Sequence, residues 1–166
     1  MTELNLPQHI QDLIGATGRV KPVLAEAQAP EAWAAFEVIR AHLSDALLEE
    51  EPDPVAIYDA ATLTGGAALF LLTSVFGVRN GEAVMRVMRE QERQLQKWGV
   101  QSHEPLIWNL ILAEEIGEAA QELYEYTFSA REESLTALRE ELVQVVAVCG
   151  SMLESLKRNQ LKEVQA

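Results

Sequence analysis

Glu114-Glu115-Ile116-Gly117-Glu118 is the densest concentration of potential chemistry in the 166-residue chain. On a helix, Glu115 and Glu118 stand about 60° apart around the axis, so both carboxylates face one way. Glu141 and Gln144 repeat that spacing further along. Like charges held this close repel each other unless a cation sits between them or water screens them. Antiparallel packing of the two segments would set the pairs face to face. Three carboxylates (Glu115, Glu118 and Glu141) and the amide oxygen of Gln144 would then form a cage. All-oxygen ligation of this kind suits Mg²⁺ or Mn²⁺. A solvated helix face is the alternative reading of the same residues. Both pairs border apolar stripes, with Leu112, Ile116 and Ala119 around the first and Leu142 and Val145 beside the second. Gly117 sits inside the helix, where it costs ~1 kcal/mol relative to Ala. Close approach of another backbone or a ligand would account for it.

The elements that must position these residues are helical. Pro105 opens a helix predicted to reach about Tyr126. Ser129-x-x-Glu132 has the form of a capping box. The helix after it carries Leu135, Leu138, Leu142, Val145, Cys149, Met152 and Leu156, at spacings alternating between three and four. Cys149 falls on that seam as a small buried hydrophobe. Upstream, Asn80-Gly81 starts a helix ending at Trp98-Gly99, with Val84, Met88, Gln91, Leu95 and Trp98 as its predicted stripe. Asp53 and Pro54 cap and open a segment over Val55–Phe76. Its stretch Ala60–Val78 carries no charge. Interrupting Thr and Gly residues, and flanks without a basic bias, make it a buried helix rather than a membrane span. Gly65-Gly66 would let a neighbouring helix approach closely. Pro30 opens a helix to about Glu50, and a short helix over Leu6–Leu13 followed by a loop is predicted before it. No segment alternates apolar and polar residues over strand length. The expected fold is all-α, a helical bundle.

Charge narrows the function classes. Thirteen basic against 26 acidic residues give a net charge of −13. That balance disfavours nucleic acid and anionic membrane surfaces, which need clustered Lys and Arg. It permits a small anionic substrate held through divalent cations. Residues 1–78 hold 3 basic side chains and residues 79–166 hold 10, so the second part is the place for such a substrate. A single cysteine excludes a disulfide framework and a zinc site built on paired cysteines. No basic stretch leading into an apolar run follows Met1, and the expected location is the cytoplasm. A di-iron bundle needs Glu-x-x-His on two helices. None of His9, His42 and His103 has a glutamate three residues before it.

The run Glu114-Glu115-x-x-Glu118, followed by Glu141-x-x-Gln144, resembles the MazG-like all-α nucleotide pyrophosphohydrolases. Their pattern is Glu-Glu-x-x-Glu, then Glu-x-x-Asp. The lead-in Arg93-Gln-Leu-Gln-Lys97-Trp98-Gly99-Val-Gln101-Ser-His103-Glu-Pro105 is similar to that of a bacterial and phage branch. So is Glu141-Leu-Val-Gln-Val-Val-Ala-Val148. The resemblance spans about residues 85–158, placing a MazG-like core in residues 79–166 behind an N-terminal helical region, residues 1–78, of unassigned role. The chain departs from the general pattern at Gln144, where the family has Asp; Gln is usual there in the branch.

The resemblance implies hydrolysis of nucleoside triphosphates to the monophosphate and pyrophosphate, with Mg²⁺ or Mn²⁺ held by Glu115, Glu118, Glu141 and Gln144. It carries Glu114 over as the residue that orients or deprotonates the attacking water. Trp98 and Trp108 are then candidates to stack on the base, and His103 to hydrogen-bond base or phosphate. Asn109 is a candidate for a base edge or sugar, and Lys97, Lys157 and Arg158 for phosphate oxygens. The recognised helices fall one short of a closed four-helix unit; the missing wall must come from residues 30–78 or from a second chain, and a homodimer or higher homo-oligomer is the expected assembly. Two other classes fit the residues: a nucleotide sensor that keeps the site without turnover, and a helical interaction protein without chemistry.

Overall fold

Proline and aspartate set most of the helix starts. In the computed structural model, which describes residues 5–161, Pro30 lies in the first turn of α2 (Ala29–Leu47). Asp53 caps α3 (Pro54–Phe70), its carboxylate accepting from Val55 N at 2.9 Å. Pro105 opens α5 (Pro105–Ser129). Ahead of these is α1 (Gln8–Leu24); between them lies α4 (Asn80–Trp98), and α6 (Glu132–Asn159) follows. There is no strand among the described residues. The molecule is the all-α bundle expected.

The uncharged segment runs through the middle. It continues past Phe70 into a π-helical turn, Leu71–Val75. The whole of Pro54–Val75 is long and apolar enough to cross a membrane, yet 72% of its most apolar window is buried inside the fold. It packs on α1, α2 and α6. At Gly65 an added Cβ would lie 2.8 Å from the Cys149 Cβ, and at Gly66 it would lie 3.0 Å from the Ala16 carbonyl carbon. The glycine pair thus lets α3 touch α1 on one side and α6 on the other. Cys149 is wholly buried, which pushes its thiol up to about 12 and keeps it protonated.

Three expectations need correction. The first helix does not stop near Leu13; it continues through Gly15, Gly18 and Pro22 to Leu24. Burial of Ile10, Leu13, Ala16, Val20 and Leu24 at helical spacing outweighs the local penalties of glycine and proline. On α4 the inward face is rotated by one residue. Ala83, Val87 and Gln94 are buried, whereas Leu95 and Trp98 are about half exposed. Gln91, on the predicted stripe, still reaches α6, its Nε2 donating to the Ala147 carbonyl at 3.2 Å. The capping box at Ser129 does not form, because α5 runs to Ser129 itself. The chain reverses at Ala130, in the left-handed region at φ 50°, and Arg131 occupies the cap position of α6. Ser129 Oγ accepts from Arg131 N at 3.3 Å instead.

That two-residue connection folds α5 back along α6, and the two make the most extensive helix pair in the molecule. α4 packs on α6 beside them. The segments on either side of residue 79 contribute to one hydrophobic core.

Candidate metal centre

The antiparallel hairpin sets the register of the carboxylates. Leu112, Ile116 and Ala119 on α5 and Leu138, Leu142 and Val145 on α6 are all buried. They leave Glu115 and Glu118 pointing along the seam toward Glu141. One ligand atom from each of the three lies within 4.8 Å of the others. Glu118 is exposed, while Glu115 and Glu141 are half-buried.

The electrostatics are those of negative charge forced together. Burial, followed by the charges of Glu118, Glu141, Glu114 and Glu90, pushes Glu115 up to about 7 from 4.5. Burial and then Glu118 raise Glu141, against a hydrogen bond from Gln144. Glu115 Oε2 is buried with no hydrogen-bond partner among the described residues. A buried acceptor left unpaired costs about 1–3 kcal/mol, more for a charged group. A cation between the three carboxylates would supply the missing partner and offset the repulsion. Oxygen ligands on one small cation suit Mg²⁺ or Mn²⁺.

Gln144 takes a different part from the one the spacing suggests. Its Nε2 donates to Glu141 Oε2 at 2.7 Å. It orients a carboxylate and turns its amide nitrogen, not its oxygen, toward the cluster. Glu114 is exposed and reaches the cluster through its charge on Glu115. Gly117 has no atom within 4 Å of the position a Cβ would take. No backbone among the described residues explains that glycine.

A third helix borders the cluster, and here the sequence reading missed residues. Glu90 on α4 accepts from Arg93 Nε and Nη2 at 2.8 and 2.7 Å and from Gln94 Nε2 at 2.8 Å. Its charge is felt at Glu115, as is that of Glu115 at Arg93. Arg86, Arg89, Glu90 and Arg93 line one side of a cavity of about 600 Å³, with Thr136, Glu140, Val143 and Gln144 opposite. Arginines at spacings of three and four on one helix were the available signal.

The remaining candidates separate into two groups. His103 packs edge-on against the buried Trp108, with centroids 5.0 Å apart. Asn109 is half-buried and its Oδ1 has no partner among the described residues. Arg158 Nη2 donates to the Gln101 carbonyl at 2.8 Å. Trp98 is half exposed, with Lys97 Nζ 4.5 Å above its ring. Lys157 lies on the other side of α6: its Nζ is 3.2 Å from Asp12 Oδ2 and sits over the Tyr58 ring. The structure uses it to join α1, α3 and α6 and does not bring it to the carboxylates.

No protein-family model, curated protein or solved structure matches the chain.

The raised Glu115 has a measurable consequence in the metal-free protein. Its folded value lies above the unfolded one, so the native state retains a proton that the unfolded chain loses between pH 4.5 and about 7. Stability contributed by that proton is complete below pH 4.5 and is lost as pH rises through about 7. Thermal unfolding in a chelator should show Tm falling across that window, and Glu115→Gln should flatten the slope. Millimolar Mg²⁺ should restore Tm at pH 8, where it replaces the proton. A wild-type Tm as high at pH 8 as at pH 5 in chelator would contradict this account.

Proposed function

We propose that the chain hydrolyses nucleoside or deoxynucleoside triphosphates to the monophosphate and pyrophosphate, as a MazG-like pyrophosphohydrolase dependent on Mg²⁺ or Mn²⁺. The observation that carries this reading is a pairing of opposites. An unsatisfied carboxylate cluster lies beside a cavity that three arginines line together with Glu90 and Glu140, and Gln144, bonded to Glu141, lines that cavity too. A ligand that is anionic and brings divalent cations with it satisfies both sides. A triphosphate does so.

Glu115, Glu118 and Glu141 would hold the cation, with Gln144 orienting Glu141. The cation supplies neutralisation of phosphate charge when bound. Arg86, Arg89 and Arg93 receive phosphate oxygens; Arg86 must exchange its bond to Glu82, and Arg93 part of its bond to Glu90, to do so. Glu114 orients the attacking water. Water oxygen bonds to the α-phosphorus, the bond from that phosphorus to the bridging oxygen breaks, and pyrophosphate leaves. Incubation with each triphosphate and Mg²⁺ or Mn²⁺, with the products identified, tests the reading. Release of inorganic phosphate with a diphosphate, or no product at all, would sink it. One feature favours a second reading, a nucleotide sensor: Gln144 presents an amide donor where the general pattern has a carboxylate. Tight metal-dependent nucleotide binding without pyrophosphate would select it.

The assembly proposal rests on α5. Leu106, Leu110, Tyr124 and Phe128 are 53–76% exposed along one face of that helix. Gly117 lies between them on the same face, without a neighbour. We read this stripe as the contact with a second copy, the two α5 helices crossing at Gly117. Light scattering should give the mass of a dimer, and Leu110→Glu should give a monomer. Gly117→Ala supplies the contrast. On a free face it adds up to ~1 kcal/mol of helix propensity; at a crossing it weakens the dimer. A wild-type monomer at micromolar concentration would refute the assignment.

A further inference from the structure

Two further cavities adjoin along α1. The first, about 590 Å³, lies between α1, the end of α3 with the π-helical turn after it, and the first turns of α4. The second, about 540 Å³, lies between the α1–α2 connection, the same π-helical turn, and the facing ends of α5 and α6. Ala25, Phe70 and Ser74 line both, so the two form one groove. Its lining residues on α1 run from Ile14 to Leu24, about 15 Å along the helix. Each volume is in the range of small-ligand sites. None of the carboxylates or arginines of the hydrolase site lines either cavity.

The charge of this groove runs against that of the chain. Acidic residues outnumber basic ones overall, 26 to 13. Three other cavities each carry two acidic side chains: Glu92 and Glu154, Glu90 and Glu140, or Asp12 and Asp59. The groove has none among the described residues, and its two charged lining groups are both cations, Lys21 and Arg139. Lys21 is exposed on α1, one turn before the shared Ala25. Arg139 is anchored, its Nε donating to the Phe76 carbonyl at 2.8 Å. Its Nη1 lies 3.5 Å from Glu132 Oε1, a long contact to a side chain that is 76% exposed. Nη2 has no hydrogen-bond partner among the described residues. An arginine fixed through Nε presents its two terminal nitrogens as a fork for a carboxylate.

The other half of the groove is apolar. Ile14, Leu69, Phe70, Val84 and Met85 form its walls. Gly18 and Gly81 keep it open, since nothing lies within 4 Å of a Cβ at either position. Between the halves stands the π-helical turn, Leu71–Val75, closed by a bond from Phe76 N to the Leu71 carbonyl at 2.9 Å. Turns of this kind occur frequently at functional sites. Thr73 Oγ1 donates to the Leu69 carbonyl at 2.8 Å. The Ser74 hydroxyl, at the junction, has no partner among the described residues and is left to serve a ligand. A long apolar wall leading to a hydroxyl and a guanidinium matches a chain with an anionic end.

We propose that this groove binds a single-chain carboxylic acid, a free fatty acid of medium length. Its carboxylate accepts from Arg139 and from the Ser74 hydroxyl, and Lys21 adds positive charge at the lip. Its hydrocarbon chain lies along α1 against Leu69, Phe70 and Met85, over Gly18. A polar ring system would leave its donors and acceptors unpaired on the apolar walls. A cationic amphiphile would meet two like charges.

The test is calorimetric titration of the full chain with hexanoate, octanoate, decanoate and dodecanoate, each below its micelle concentration, and with decyltrimethylammonium. Affinity should rise about fourfold per added methylene and level off once the apolar half is filled. Decanoate should bind at least about tenfold more tightly than the cation, as a charge-assisted hydrogen bond implies. The net charge of −13 alone would favour the cation. Arg139→Gln should weaken decanoate about tenfold or more. Gly18→Leu, at an exposed helix position with open space around it, should melt no lower than wild type. It should bind decanoate at least about tenfold less tightly, the equivalent of about two buried methylenes. No binding of any carboxylate, affinity that ignores chain length, a preference for the cation, or unchanged affinity in Gly18→Leu would overturn the proposal. So would flotation of the chain with phosphatidylglycerol vesicles without binding of any free carboxylate, which would make the groove a membrane contact.

Discussion

Glu118→Gln and Glu141→Gln are each expected to lower pyrophosphate release by at least about 100-fold while leaving the fold no less stable than wild type. The first half follows from ligation. Outer partners of metal ligands already cost 10–100-fold when removed, and a ligand itself costs more. The second half follows from repulsion in the metal-free protein, where Glu118 raises both Glu115 and Glu141. Removing one charge relieves that repulsion, so Tm in chelator should stay level or rise. An inert helix face gives the opposite pattern, with activity intact and stability within about 0.5 kcal/mol. Product analysis and thermal unfolding on the same samples separate the two. Normal turnover by both variants would end the metal-site reading. Gln144 sharpens the test. Gln144→Leu removes the donor to Glu141 and should weaken divalent binding. Gln144→Asp adds a carboxylate and should tighten it, at the cost of a lower Tm in chelator.

What could be read from the sequence depended on whether local chemistry decided it. Pro30, Pro54 and Pro105 marked helix starts because a proline ring suits the first turn whatever surrounds it. The α6 seam was legible because one face of it is buried along nearly its whole length. Glu115, Glu118 and Glu141 were legible because like charges at helical spacing beside an apolar stripe are conspicuous. The length of α1 was not, because local signals at Gly15, Gly18 and Pro22 oppose the helix and only packing against α3 overrides them. Nor was the rotation of α4, which buries Ala83, Val87 and Gln94 and leaves Leu95 and Trp98 half exposed. His9 could not be linked to Gln91, 82 positions away, by any pattern along the chain. The arginine stripe on α4 gains meaning only once α6 places Gln144 opposite it.

Gly66→Ala should be among the most damaging single-methyl additions to this molecule. In an open helix the same change adds up to ~1 kcal/mol of stability. At Gly66 the new Cβ would lie 3.0 Å from the Ala16 carbonyl carbon and 3.2 Å from its Cα. Those are backbone atoms, so the strain cannot be relieved by turning a side chain. α1 would have to move off α3 as a unit, loosening Leu13 and Ala16, each 1% exposed. Overpacking of this kind costs about 1–3 kcal/mol. In a domain of this size each kcal/mol lowers Tm by about 2–4 °C. The nearest atom to the added methyl is the Ala16 Cβ. Ala16→Gly in the same chain should therefore recover part of the loss, although Ala16→Gly alone destabilises. Non-additivity of that sign isolates the α1–α3 contact, since neighbours couple and distant sites do not. The same exchange at Gly18 on α1, where nothing lies within 4 Å, gives the reference for a helix glycine free of intrachain contact. A Gly66→Ala protein as stable as wild type would mean that α1 does not lie against α3 at this distance.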